Sequence, residues 1–111
     1  MAKEAVPTIY NVYTDTNPAS VEANFYVSHD RPDRDVTVTI EVFDMMGRRL
    51  WQATRSGRSD MFESLPITWD LTDYGGHRVP RGIYLYRATI SDDYSGEKTS
   101  TASRRLAVTA E

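Results

Sequence analysis

The chain contains no cysteine and only two histidines, His29 and His77, in 111 residues. A disulfide scaffold, a thiol nucleophile and a Cys-ligated zinc or iron–sulfur centre are therefore excluded. Neither histidine has a second His or Cys at ligand spacing, so each is expected to be a solvated loop residue. No run approaches the ~20 apolar residues of a transmembrane helix, and direct membrane insertion is not expected. An excess of one charge is also missing, since 13 basic against 16 acidic residues leave a net charge of −3. That balance argues against a dedicated nucleic-acid binder. There is no G-x-S-x-G nucleophile elbow and no phosphate-cradling glycine loop. Met1-Ala2-Lys3-Glu4-Ala5 lacks the apolar stretch of a signal peptide. This leaves a cytoplasmic chain or a piece of a longer exported one, and the want of any enzymatic signature favours the piece.

A period of two is present instead. In Val36-Thr37-Val38-Thr39-Ile40-Glu41-Val42-Phe43 the aliphatic residues fall on one face of a strand and Thr37, Thr39 and Glu41 on the other. Similar segments run over Thr8–Thr14, Val21–Ser28, Arg49–Arg55, Leu65–Leu71, Ile83–Ser91 and Thr99–Thr109. About seven short strands separated by polar turns predict an all-β, antiparallel sandwich. No long segment keeps a 3.6-residue apolar stripe, so helix should be scarce. Residues 1–7 are expected to be a disordered or vector-derived segment, and 8–111 a single domain. The alternation predicts a core of Ala23, Phe25, Val27, Val36, Val38, Ile40, Val42, Leu50, Trp69, Tyr84, Tyr86, Ala88, Ile90, Leu106 and Val108. Trp69, with the largest area to bury, is its expected centre. Phe43 and Trp51 lie on strands whose other face is already assigned to the core. They are expected to pack inside rather than form a contact patch.

Turn chemistry punctuates the strands. Asn17-Pro18 breaks the chain after the first, and His29–Asp35 reads as a polar loop around Pro32. Asp44-Met45-Met46-Gly47 and Asp73-Tyr74-Gly75-Gly76 place an aspartate where it can accept from the backbone two residues on. Each ends in a glycine free to take positive φ. Asp92–Gly96 closes a last hairpin. Asp70 and Asp73 form the densest acidic group. They lack the D-x-[DN]-x-[DN]-G spacing and terminal Glu of a calcium loop, so turn capping is the expected role. Sixteen acids make carboxylate pairs inevitable, and nothing selects one pair for glycoside hydrolysis. No catalytic, cofactor-binding or metal-binding residue is assigned. Arginine outnumbers lysine 11 to 2, which suits cross-strand ion pairs or, if clustered, an interface.

In order along the chain, Val38–Leu50 with its Asp44-Met45-Met46-Gly47-Arg48 turn, Ile67–Gly76 and Val79–Ala88 resemble the FlgD-type Ig-like domain. The resemblance extends from Val36 to Val108. It implies an Ig-like sandwich in which Asp44, Gly47, Arg48, Trp69, Asp70, Asp73, Gly76, Gly82 and Tyr84 are the structural motif residues. The family commonly has Trp-Asp-Gly where this chain has Trp69-Asp70-Leu71, and the departure suggests a different turn there. Asn24–Asp33 and Pro66–Asp73 are most similar to the C-terminal module of the type IX secretion sortase, a gingipain-like cysteine peptidase of Bacteroidetes.

Without a cysteine the chain carries none of that peptidase's catalytic machinery. The resemblance therefore implies a non-catalytic accessory module of a larger cell-envelope protein. Its expected partners are the remainder of the parent chain and an outer-membrane secretion component, and its expected location is the cell surface. Two alternatives are a C-terminal sorting domain of secreted cargo, suggested by Asn17-Pro18-Ala19 and the Asp44–Arg48 turn, and a surface adhesion sandwich.

Overall fold

A computed structural model describes residues 7–59, 63, 66–101 and 103–109. Eight strands are present: β1 (Ile9–Thr14), β2 (Ala23–His29), β3 (Arg34–Phe43), β4 (Arg49–Ser59), β5 (Ile67–Trp69), β6 (Gly82–Asp92), β7 (Lys98–Ser100) and β8 (Arg104–Val108). No described residue is helical. The strands form a sandwich of two antiparallel sheets, one ordered β1-β2-β5 and the other β4-β3-β6, with β7 and β8 in tandem on the far edge of β6. The strand expected over Thr99–Thr109 is thus two. β7 pairs with Thr89–Ser91 and β8 with Gly82–Tyr86. Residues 1–6, most of the segment expected to stand apart, lie outside the described residues, as do Leu65 and Ala102 of two expected strands. Pro7 is buried.

Alternation explains the interior. Along β3, Val36, Val38, Ile40 and Val42 face inward, and along β6 Tyr84, Tyr86, Ala88 and Ile90 do. Aromatic contacts cross between the sheets, with Phe25 5.0 Å from Tyr86 and Trp69 6.2 Å from Tyr84, centroid to centroid. The expected core residues are buried except Leu50, which is half-buried. The β3–β4 register slips between Val42 and Phe43, leaving Leu50 as the extra residue of a bulge. Val12, Ala19, Ile67, Leu71 and Val79 complete the core.

His29 is a correction. Alternation in β2 runs one residue further than expected, and His29 follows Ala23, Phe25 and Val27 to the inner face, where it is fully buried. Its Nδ1 accepts the Arg31 amide at 3.0 Å. The outer face of the larger sheet is polar. Hydroxyl pairs Thr37–Ser56, Thr39–Thr54 and Thr89–Ser100 bridge neighbouring strands, and Glu41 holds Arg49 and Arg87.

Candidate functional site

The motif residues gather at one end of the sandwich, where β3 turns into β4 and where β5 leads to β6. Asp44 organises the first turn. Its Oδ1 accepts the amides of Met46 and Arg48, both at 2.9 Å, its Oδ2 accepts Arg48 Nε at 2.8 Å, and its carbonyl accepts the Gly47 amide. Asp73 repeats the arrangement, with Oδ1 accepting the amides of Gly75 and His77 at 2.9 and 3.0 Å and its carbonyl accepting that of Gly76. Gly47 and Gly76 take φ of +88° and +79°, which an L side chain rarely adopts. Both turns are therefore one solution, Asp-x-x-Gly followed by a residue whose amide the aspartate accepts. The Arg48 amide holds the Asp44 carboxyl below the usual carboxylate range, and the His77 amide does the same for Asp73.

Behind the turns lies an aromatic plug. Trp69 is fully buried, and its ring lies 5.9 Å from Trp51. Its Nε1 donates to the Thr72 carbonyl at 2.8 Å. Tyr84 is buried beside it and its hydroxyl donates to the Pro80 carbonyl. Burial, then the nearby Asp44 charge, raises the Tyr84 pKa. Asp70 accepts the Thr72 amide and hydroxyl, a local turn cap. Gly82, with φ +155°, opens β6. No group of three or more Asp, Glu or His able to hold a metal lies together among the described residues.

Leu71 stands where the resemblance implies a different turn. It takes φ +66°, the left-handed conformation a glycine would take, while its side chain is fully buried. Left-handed backbone costs a non-glycine residue roughly 1–2 kcal/mol, less than the ~2–5 kcal/mol contributed by a buried leucine. Burial wins, and the left-handed backbone is held. Leu71→Gly gives up the side chain but relieves the backbone, whereas Leu71→Ala gives up the side chain and keeps the strain. The glycine variant is thus expected to be the more stable of the two by urea denaturation, the reverse of the order at an ordinary strand site.

At the tips of the turns the apolar side chains are exposed: Met45 by 54%, Met46 by 85% and Tyr74 by 61%. Arg49 joins the turns, because it pairs with Glu41 at 3.0 Å and also interacts with Tyr74, both of which raise its pKa. Each capped turn thus presents exposed apolar side chains at its tip. Alternation carries no information inside a turn, so the exposure of Met45, Met46 and Tyr74 has no signal in the sequence. Trp51 and Phe43 are half-buried, the former against the core and the latter beneath the Arg87 guanidinium at 5.2 Å. At the opposite end an open groove is lined by Asp33, Arg34, Asp35, Arg58, Asp93 and Tyr94.

No family model and no curated protein sequence matches the chain. Solved structures do. Dimeric latent PorU from Porphyromonas gingivalis is 27% identical with a TM-score of 0.83, over 100% of this chain and 10% of that one. FlgD from Xanthomonas campestris, a protein of flagellar hook capping, is 24% identical with a TM-score of 0.57, over 92% of this chain and 64% of that one. A beta-glucuronidase from Parabacteroides merdae is 14% identical with a TM-score of 0.62, over 92% of this chain and 14% of that one. The last two share the fold alone. The chain is a FlgD-like, Ig-like β-sandwich that resembles the C-terminal module of PorU, the type IX secretion sortase, and spans about a tenth of the length of that protein.

Proposed function

We propose that the chain is a non-catalytic accessory module of a larger exported cell-envelope protein of the type IX secretion sortase kind, and that it supports and docks the peptidase domain of its parent. The whole-chain match to a tenth of PorU carries this reading. The motif supports it, because its polar groups are engaged in building turns. Asp44, Asp70 and Asp73 each accept from their own turn. Its partners are then the remainder of the parent chain and an outer-membrane secretion component, reached at the cell surface. The exposed side chains of Met45, Met46 and Tyr74 are offered for that contact, since exposed apolar groups on rigid turns bind with little ordering cost.

Deleting the module from the parent is the test. It should impair the stability or surface assembly of that protein while leaving its catalytic residues intact. Met46→Asp combined with Tyr74→Asp should reproduce the assembly defect without lowering the melting temperature of the isolated module. Hydrolysis of a peptide or glycoside by the purified module, abolished by one carboxylate substitution, would sink the proposal.

A further inference from the structure

The outer face of the larger sheet changes character along its length. Away from the motif turns it carries Thr37, Thr39, Thr54, Ser56, Thr89 and Ser100, whose hydroxyls pair across the strands. Toward the motif turns the same face carries Phe43, Ile83, Leu85 and Ala107. Register fixes their place, since Phe43 pairs with Leu85, Leu85 with Arg105 and Ile83 with Ala107. The residues alternating with them, Val42, Tyr84, Tyr86, Leu106 and Val108, are buried in the core. Ile83 is 45% exposed, and Leu85 and Ala107 are half-buried. Strand preference does not demand apolar groups here, because Thr suits a solvated pleated surface and the rest of the face uses it. β6 and β8 and their flanks, residues 79–92 and 103–109, are described throughout. The chain leaving β8 is held at Thr109, whose amide donates to the Ala19 carbonyl.

Arginines border these side chains. Arg49 lies beyond Phe43 in the same row, and Arg87 lies two residues along β6 from Leu85. Glu41 holds both. Arg105 differs. It is exposed beside Leu85, and its side chain makes no hydrogen bond or ion pair among the described residues. This half of the face thus sets three arginines against one glutamate, on a chain whose net charge is −3. Two copies placed face to face would oppose arginine to arginine, which disfavours self-association. Leu85 and Ala107 are half-buried on a sheet rather than raised on a loop, a form suited to a protein partner and not to insertion among acyl chains.

We propose that this half of the outer face is a docking surface for an acidic segment of a partner protein. Apolar side chains of that segment sit on Ile83, Leu85 and Ala107, and a carboxylate pairs with Arg105. The apolar contacts supply affinity. Arg105 selects the acid, because its guanidinium has no carboxylate of its own to give up. This goes beyond the accessory-module reading and does not depend on it.

The test titrates the chain with a synthetic peptide of about nine residues, near the span of a long strand. The peptide carries two leucines and then two glutamates at alternate positions, with serine between them. A control has lysine for glutamate. NMR follows the methyl signals of Ile83, Leu85 and Ala107 and the Nε–H signal of Arg105. The glutamate peptide should shift them all, and the lysine peptide should bind less tightly. Arg105→Glu should weaken the glutamate peptide about fivefold, the upper end for an exposed ion pair, and reverse the preference between the two. Ile83→Ser should weaken both. Each of these side chains is exposed, so neither variant should lower the melting temperature by more than about 2 °C. Shifts confined to the turns at Met46 and Tyr74, equal binding of the two peptides, binding of the chain to anionic phospholipid vesicles through Ile83, or no binding of either peptide would each overturn the proposal.

Discussion

Trp69→Ala is expected to lower the melting temperature by more than about 12 °C, from a loss of at least 3 kcal/mol at about 4 °C per kcal/mol. Trp69 is fully buried on a strand of only three residues, so the smaller sheet gains much of its hold on the larger through this one ring. It meets Trp51 and Tyr84 of the facing sheet, and its indole N–H donates to the Thr72 carbonyl. Truncating a buried Trp costs about 3–5 kcal/mol. That is a large share of the ~5–15 kcal/mol that stabilises a domain of this size. Loss of the indole also frees the loop carrying Leu71 and Asp73, so both the plug and the second turn should loosen together. Trp69→Phe keeps a ring but not the donor and should fall between the two. Thermal unfolding followed by circular dichroism separates the cases. An alanine variant melting within a few degrees of the parent would mean that the ring is not the keystone of the β5 contact.

How much of this was legible beforehand depended on how local the cause was. β3 and β6 were readable because a strand buried on one face writes period two into its own residues. The Asp44 and Asp73 turns were readable because each closes within five residues through a single carboxylate. Features set by distant neighbours were not. β4 extends to Ser59 through Ser56, Gly57 and Arg58, residues of no strand character, because β3 is long enough to hold them. The division between β7 and β8 reflects which stretch of β6 each one meets. His29 lay on a legible alternation but was hidden by its polarity. Leu71 could not be read as left-handed, since local preference there favours glycine and only the core supplies the opposing term. The interaction of Arg49 with Tyr74 needed two turns far apart in sequence to be brought together.

Asp92→Ala is the other substitution expected to be severe, at about 3–5 kcal/mol, the usual cost of removing one partner from a buried ion pair. The Asp92 side chain is fully buried at the end opposite the motif turns. Its Oδ2 accepts Arg31 Nε at 3.0 Å and Arg34 Nη1 at 2.7 Å, and its Oδ1 accepts the Tyr94 amide at 3.0 Å. Arg31 is itself only 8% exposed and also pairs with Asp30 at 3.0 Å, so truncation removes one of the carboxylates that hold a buried cation. Burial pushes the Asp92 pKa up, but the Tyr94 amide and Arg34 outweigh it and the carboxyl stays below its ordinary value. A depressed folded pKa means the contribution is present above about pH 4, the unfolded value, and is lost as pH falls through the folded one. His29, one contact away through the Arg31 amide, adds an earlier step. Burial lowers its pKa, so below about pH 6.5 the unfolded chain takes up a proton that the folded chain does not. Stability should therefore decline in two stages on acidification, each proton adding a slope of up to about 1.4 kcal/mol per pH unit. Urea denaturation from pH 8 to pH 3 reads both. Asp92→Asn should keep the first stage and shrink the second, whereas His29→Gln should remove the first. A wild-type stability that stays flat from pH 7 down to pH 5 would contradict a neutral, buried His29, and an unchanged acid limb in Asp92→Asn would contradict the buried ion pair.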